Sequence, residues 1–310
     1  MSCLRRADVG WLPGGSGIGA GARGTGDFTD ARHGAAPRQF PDPFRHPGPG
    51  RYPSGETVTL EIDGLTVRFG GVTALSGIDL TVRPGELVGL IGPNGAGKTT
   101  LFDCLTRRRV PESGRMRFEA RDLNGLPPDE IAGRGIARTF QHLGLFPRLS
   151  VRENVMIGAH RHGRSGFGAA VLRPGWMRRE ERRLREIADE VLGRMGLLPL
   201  ADHPAGHLPH GTLKRIEIAR ALAVRPRLLL LDEPVSGLTQ DEVVEFARVI
   251  QEVHAESGVA IVVVEHHMGF VMDLCERVVC LDSGEKIADG TPGRVRRDPA
   301  VVDAYLGIVP

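Results

Sequence analysis

Between Glu86 and Thr100 the chain reads ELVGLIGPNGAGKTT. An apolar run, Leu87 to Ile91, breaks at Gly92 and gives way to Gly-Pro-Asn-Gly-Ala-Gly-Lys-Thr. This is the phosphate-loop pattern: a Gly, four residues, then Gly-Lys-Thr, with a strand before it and a helix-forming run after it. Glycines let the backbone curl so that its N–H groups converge on phosphate oxygens. Lys98 is placed to reach the outer phosphates and Thr99 to ligate magnesium, while the helix that opens there adds its positive end. A second glycine pattern, Gly19-Ala20-Gly21-Ala22-Arg23-Gly24, matches a dinucleotide fingerprint by letters alone. No strand pattern precedes it and no helix pattern follows, so it is set aside.

With 310 residues, 41% of them hydrophobic, the chain can bury one large core or two smaller ones. A formal net charge of +2 makes no demand for nucleic acid, and no nucleic-acid partner is expected. Cys3, Cys104, Cys275 and Cys280 lack metal-ligand spacing and are too sparse for a disulfide framework, which points to a reducing compartment. No apolar run is long enough to span a bilayer and the start lacks a signal-peptide core. The expectation is a soluble chain able to dock onto a membrane partner. Residues 1–55 are rich in Gly, Pro and Arg with few large aliphatics, and are read as a disordered, solvated extension.

Order is expected from about residue 57. The runs TVTLEI, LTVRFG and ALSGIDLTV alternate apolar and polar residues between glycine-containing turns, which predicts a small antiparallel sheet. Phe69 in this layer is either ordinary core or a face for an adenine ring. TTLFDCLTR reads as a helix, residues 115–118 as a strand, and 136–140 as a strand ending in Gln141, whose amide is placed to touch a metal-bound water. Ser150 and Glu153 form a capping-box pattern. From Met177 to Met195 a helical stripe runs through Leu184, Ile187, Ala188, Val191, Leu192 and Met195. His160, His162, His203, His207 and His210 are too irregularly spaced for a metal site.

In LPHGTLKRIEIARAL, residues 208–222, Gly211 is expected to open a helix and present N–H groups to an anion. Leu228 to Leu231 are continuously apolar, as a strand buried on both faces should be. Such a strand delivers Asp232 and Glu233 at its carboxyl end, where an open α/β sheet binds its ligand. Asp232 is assigned to magnesium through water, and Glu233 to orienting or deprotonating an attacking water. A second buried strand, 260–264, ends in Glu265-His266-His267, one histidine of which is placed for a terminal phosphate. A helix over 268–275, a strand over 277–281, a turn at Gly284, a short strand to Ala288 and a helix over 301–306 complete the chain, with Asp298-Pro299 marking the last start.

From about residue 57 to its end, the chain resembles the ATP-binding subunit of an ABC transporter. The resemblance implies an α/β fold, a P-loop NTPase of the ABC type. That fold has a mainly parallel core sheet, an antiparallel β-subdomain and a helical subdomain over roughly 142–225, all within a domain spanning 56–310. Residue by residue, Phe69 resembles the adenine-stacking aromatic. Gly92, Pro93, Asn94, Gly95, Ala96, Gly97, Lys98, Thr99 and Thr100 resemble the Walker A loop. Gln141 matches the Q-loop glutamine, near the metal and coupled to the membrane partner, and Leu208 to Thr212 the signature loop. Asp232 matches the Walker B aspartate, Glu233 the catalytic glutamate, Ser236 to Thr239 the D-loop, and His266, rather than His267, the switch histidine.

The implied activity is magnesium-dependent ATP hydrolysis at the cytoplasmic face of a membrane. The implied partners are permease subunits, a second identical or homologous ATP-binding subunit and, indirectly, an external solute-binding protein. GIARTFQHLGLFPRLSVRENVMIGAH, the insertion before the 177–195 helix and the tail DGTPGRVRRDPAVVDAYLG are similar to the branched-chain amino acid uptake branch, which also serves urea and short-chain amides. Export by the same architecture and a non-hydrolysing partner in an asymmetric transporter are the competing expectations. Repair members of the family carry a coiled-coil insertion and translation members two nucleotide domains, and the sequence has neither. Pro209, His210, Gly211 and Thr212 depart from the usual Ser-Gly-Gly-Gln, and Thr239 stands where Asp or Asn is commoner. Pro209 removes a hydroxyl and an N–H that would meet the terminal phosphate.

Overall fold

Successive side chains of a strand leave on opposite faces, and the run Leu228–Leu231 uses both. It lies in β7 (Leu228–Asp232), near one edge of a six-stranded sheet. The other members are β3 (Leu87–Ile91), β6 (Ile136–Arg138), β8 (Ala260–Val264), β9 (Arg277–Asp282) and β10 (Glu285–Gly290), in the order β10-β9-β3-β8-β7-β6. Every pairing is parallel except that of β10 with β9. The computed structural model describes residues 59–139, 144–160 and 175–306. Residues 1–55, His162 and Gln141 therefore lie outside the described residues.

A four-stranded antiparallel sheet, ordered β2-β1-β4-β5, comprises β1 (Leu60–Phe69), β2 (Val72–Val82), β4 (Ser113–Phe118) and β5 (Arg121–Asp122). Here the expectation of three short strands is corrected. Leu60–Ile62 of TVTLEI and Leu65–Phe69 of LTVRFG join into the single strand β1, because Gly64 (φ +58°) makes a bulge rather than a turn. The amide it frees is met by Asp79, whose Oδ1 accepts the Gly64 N–H at 2.7 Å.

The two faces of the parallel sheet have separate cores. Val88, Leu90, Leu228, Leu230, Val262 and Val264 pack with the antiparallel sheet and with α1 (Lys98–Leu105). On the other face, Leu87, Ile91, Leu229, Leu231, Ile261 and Val263 pack with helices. These are α3 (Val151–Ala159), α4 (Gly175–Arg194), α5 (His210–Leu222), α6 (Gln240–Ser257) and α7 (Met268–Leu274). The stripe Leu184 to Met195 is buried here, in and just after α4. Helices α3, α4 and α5 all fall between β6 and β7 in the chain. The capping box at Ser150 is formed in full, with Ser150 accepting from the Glu153 N–H and the Glu153 carboxylate accepting from the Ser150 N–H.

Short elements not anticipated among the described residues include β5, α2 (Pro128–Arg134) and α8 (Pro292–Val295). The closing helix α9 (Pro299–Leu306) begins two residues before the expected position, directly at the Asp298-Pro299 signal. The Asp298 side chain accepts the Ala300 N–H at 3.0 Å.

Candidate nucleotide site

The loop between β3 and α1 is shaped by glycines that no other residue could replace. Gly92 sits at φ +146°, and a Cβ there would lie 2.1 Å from the Leu281 carbonyl oxygen. Gly97 caps α1 at φ +102°, and its Cβ would lie 2.6 Å from the Ala74 oxygen. Lys98 is 8% exposed and folds back on the loop, donating to the Gly92 oxygen at 2.6 Å and the Pro93 oxygen at 2.9 Å. Burial holds the Lys98 ammonium below its ordinary range, against the pull of Glu233, Cys280 and Asp232. Asn94, Gly95 and Thr99 are exposed, Pro93, Gly97 and Thr100 half-buried, and Ala96 buried. The cradle thus presents its tip, and the Thr99 residue, to solvent.

Strands β3, β8 and β7 are neighbours, so their carboxyl ends place the phosphate loop, His266 and the Asp232-Glu233 pair along one edge. Asp232 is 3% exposed and pairs through Oδ2 with Arg138 Nη2 at 2.7 Å. Arg138, at the end of β6, was not anticipated. Its other nitrogen Nη1 reaches Asp103 at 2.6 Å and the Thr106 hydroxyl at 3.2 Å, and the guanidinium lies 5.5 Å from the centre of the Phe102 ring. Helix α1 and strand β7 are thereby joined through one buried cation. Burial raises the Asp232 carboxyl above its ordinary range, and Arg138 works against that shift.

Glu233 adopts a left-handed backbone, φ +46°, at the sharp turn out of β7. Non-glycine residues held there cost on the order of 1–3 kcal/mol and cluster at functional sites. The conformation is over-determined: its N–H bonds the Val264 oxygen at 2.9 Å, and its carbonyl accepts from Lys214 Nζ at 3.2 Å. Glu265, fully buried, accepts the Val235 N–H on one oxygen at 2.9 Å and the His266 and His267 N–H groups on the other at 3.0 and 3.3 Å. One carboxylate therefore fixes both the turn after Glu233 and the histidine loop. It was not assigned a role from sequence, because a carboxylate among polar neighbours in a motif gives no sign of facing inward. The two histidines divide their work. His267 caps α7, its Nδ1 accepting the Phe270 N–H at 3.1 Å, whereas the His266 side chain stays 60% exposed.

The helix expected to open at Gly211 opens one residue earlier, at His210, with Pro209 as an N-cap that has no side-chain capping bond. Pro209 supplies fixed extended geometry, so Gly211 falls inside the first turn. The segment's contacts run to the turn after Glu233. The His210 ring Nε2 lies 3.4 Å from the Ser236 oxygen, and a Cβ on Gly211 would meet Glu242 Oε1 at 2.8 Å. Thr212 is buried. Thr239, in the D-loop position, caps α6 in a second capping box with Glu242. Phe69, 41% exposed at the end of β1, carries the Arg109 guanidinium 4.2 Å from its ring centre, a cation–π contact that occupies one face.

No group of three or more His, Cys, Asp or Glu side chains forms a metal cage among the described residues. Magnesium suits what is present, since it is usually held by one or two protein oxygens together with phosphate oxygens and water. The Thr99 hydroxyl and the Asp232 carboxylate, one oxygen of which faces Arg138, are such a pair of hard donors.

Comparison with known proteins shows the family and the fold. The family described as ABC transporter matches residues 75–236, and that described as branched-chain amino acid ATP-binding cassette transporter matches residues 285–308. The high-affinity branched-chain amino acid transport ATP-binding protein BraF of Pseudomonas aeruginosa is 41% identical over 248 residues, 80% of this chain and 97% of that protein. The ADP conformation of MJ1267, an ATP-binding cassette of an ABC transporter, aligns with TM-score 0.71 and 31% identity over 81% of this chain and 99% of that one. A dimeric post-hydrolysis state of the cassette MJ0796, bound to ADP and Pi, aligns with TM-score 0.63 and 26% identity over 75% and 98%.

Proposed function

Because this chain belongs to the ATP-binding proteins of the ABC transporter family, we propose that it powers a membrane permease importing branched-chain amino acids or closely related small solutes. The observation that carries the reading is the carboxyl edge of the parallel sheet, where Lys98, Asp232, Glu233 and His266 lie at or just beyond the ends of the adjacent strands β3, β7 and β8. In this reading the loop N–H groups and Lys98 hold the phosphates, and Phe69 offers its second ring face to the adenine. Thr99 and Asp232 hold magnesium, which when bound neutralises charge on the phosphate oxygens. Glu233 orients or deprotonates the attacking water, and His266 meets the terminal phosphate. Gln141 is assigned to the same metal and phosphate from the motif alone.

Pro209 to Thr212 find their contacts at Ser236 and Glu242 and not at the phosphate loop among the described residues. We infer that this segment serves the site of a second ATP-binding subunit, so that two chains close on nucleotide face to face. A groove of about 460 Å³, lined by Ile131, Ile157, Ala221 and Val224 with Glu217 and Arg220, supports docking of the permease there. No helix among the described residues is long and apolar enough to cross a membrane, in keeping with peripheral attachment at the cytoplasmic face through that partner.

Uptake of radiolabelled leucine by cells lacking the gene tests the reading. The parent chain should restore uptake, and Glu233→Gln should not, although purified E233Q still binds ATP and hydrolyses it at least about 100-fold more slowly. Hydrolysis by E233Q at the parental rate would remove Glu233 from its role. Restored ATPase activity without leucine uptake would move the solute to another class.

A further inference from the structure

We propose that the C-terminal helix α9 is a working part of the nucleotide site, with Tyr305 acting as the positioning residue of the phosphate loop. The proposal rests on the ATP-binding reading above and adds a residue to which no role in the nucleotide site was assigned. Its starting point is a backbone amide. The β3 ladder ends with Ile91 opposite Cys280 on one side and Leu90 opposite Val264 on the other, so Gly92 is the first residue beyond it. Gly92 is buried, and a buried N–H without an acceptor is costly. The acceptor is the Tyr305 hydroxyl, at 2.8 Å, from a residue 213 positions later in the chain.

Gly92 is consequently held from three sides. The Leu281 carbonyl oxygen fills the space a Cβ would need, its own carbonyl accepts from Lys98, and its amide is held by Tyr305. Tyr305 in turn is held by α9, which is anchored by Val301, 3% exposed, on the helix-side core. Burial pushes the phenol up to about 12, so at neutral pH the hydroxyl stays un-ionised. Tyr305 lies inside the segment 285–308 that matches the C-terminal branched-chain family description, which ties that tail to the phosphate loop. With the hydroxyl removed, the Gly92 amide loses its acceptor and the entry to the loop relaxes away from the geometry that gathers the phosphates.

The test is Tyr305→Phe in the full chain, which deletes one oxygen and keeps the ring. Titration with a fluorescent ATP analogue should give a Kd raised roughly three- to tenfold, the loss of about one net hydrogen bond. KM for ATP should rise in parallel while kcat stays within about twofold, a split that mere loosening of the fold would not give. Amide exchange provides a measurement independent of the variant: in the parent chain the Gly92 N–H should be protected, and in Y305F it should exchange faster. Equal Kd and KM in parent and Y305F, or an unprotected Gly92 amide in the parent, would overturn the proposal. A parent chain that took up no ATP analogue at any concentration would instead overturn the nucleotide reading, and the proposal with it.

Discussion

At the scale of single residues, Arg138 shows how a site can depend on a side chain outside its motifs. Its guanidinium, 5% exposed, joins Asp103 on α1 to Asp232 on β7. Cutting a buried pair on one side leaves an uncompensated charge, which typically costs about 3–5 kcal/mol. Arg138→Met should therefore lower unfolding stability by about that amount in urea at neutral pH. The double variant Arg138→Met/Asp232→Asn should recover most of the loss, because no buried charge then lacks a partner. If the double variant were as unstable as the single one, the cost would lie in packing against Phe102 instead. Nothing in the stretch GIARTFQ marks Arg138 as buried, since an arginine at a strand end is ordinarily solvated.

At the scale of elements, the hairpin of β9 and β10 is clamped by a two-pronged ion pair. Arg277 Nε meets Asp289 Oδ1 at 2.6 Å and Nη2 meets Oδ2 at 2.7 Å. Burial pushes the Asp289 carboxyl up, but Arg277 and Lys286 outweigh it and hold the group below the usual carboxylate range. A depressed folded-state pKa contributes stability above the unfolded value, near 3.9, and loses it as pH falls through the folded one. Asp289→Asn should thus cost about 1–3 kcal/mol at pH 7, with the gap between variant and parent closing below about pH 4. Chemical unfolding at a series of pH values measures it, and a gap independent of pH would assign the effect to shape. The same scale explains the elements that were missed. Helix α2 has Pro128 at its start, Asp129 and Glu130 in its first turn and Gly135 at its end, so its signals were present, but seven residues carry too little periodicity to be seen. At Gly64 the reverse occurred, a glycine read as a turn because a bulge and a turn use the same backbone region.

At the scale of the whole molecule, the proposed closing of two chains around nucleotide predicts association. E233Q should be monomeric without nucleotide and dimeric with ATP and magnesium, as measured by light scattering. A chain that binds ATP yet stays monomeric would require a homologous partner to supply the opposing surface, with Pro209 the first position to restore to Ser. The uncapped start of α5 makes this a direct examination of the altered signature segment, since its first-turn N–H groups are what remain to meet a phosphate there.

What the sequence determined by itself is the set of things encoded locally or by period. The glycine spacing of residues 92–97 dictates a loop, because only that residue type adopts those dihedrals. The apolar runs 228–231 and 260–264 dictate strands buried on both faces, because burial on one face alone would leave alternate positions polar. Those features carried the fold class, and they put Lys98, Asp232, Glu233 and His266 at the ends of their elements. Only the tertiary structure decided the pairings over long separations: Arg138 with Asp232, Glu265 with Val235 and both histidines, and Tyr305 with Gly92. It also gave His267 its role as a helix cap and left the side chain of His266, already singled out by the resemblance, facing solvent. The physical reason is that a hydrogen bond across 213 positions leaves no periodic trace in the chain, whereas a strand or a glycine loop is specified by its immediate neighbours.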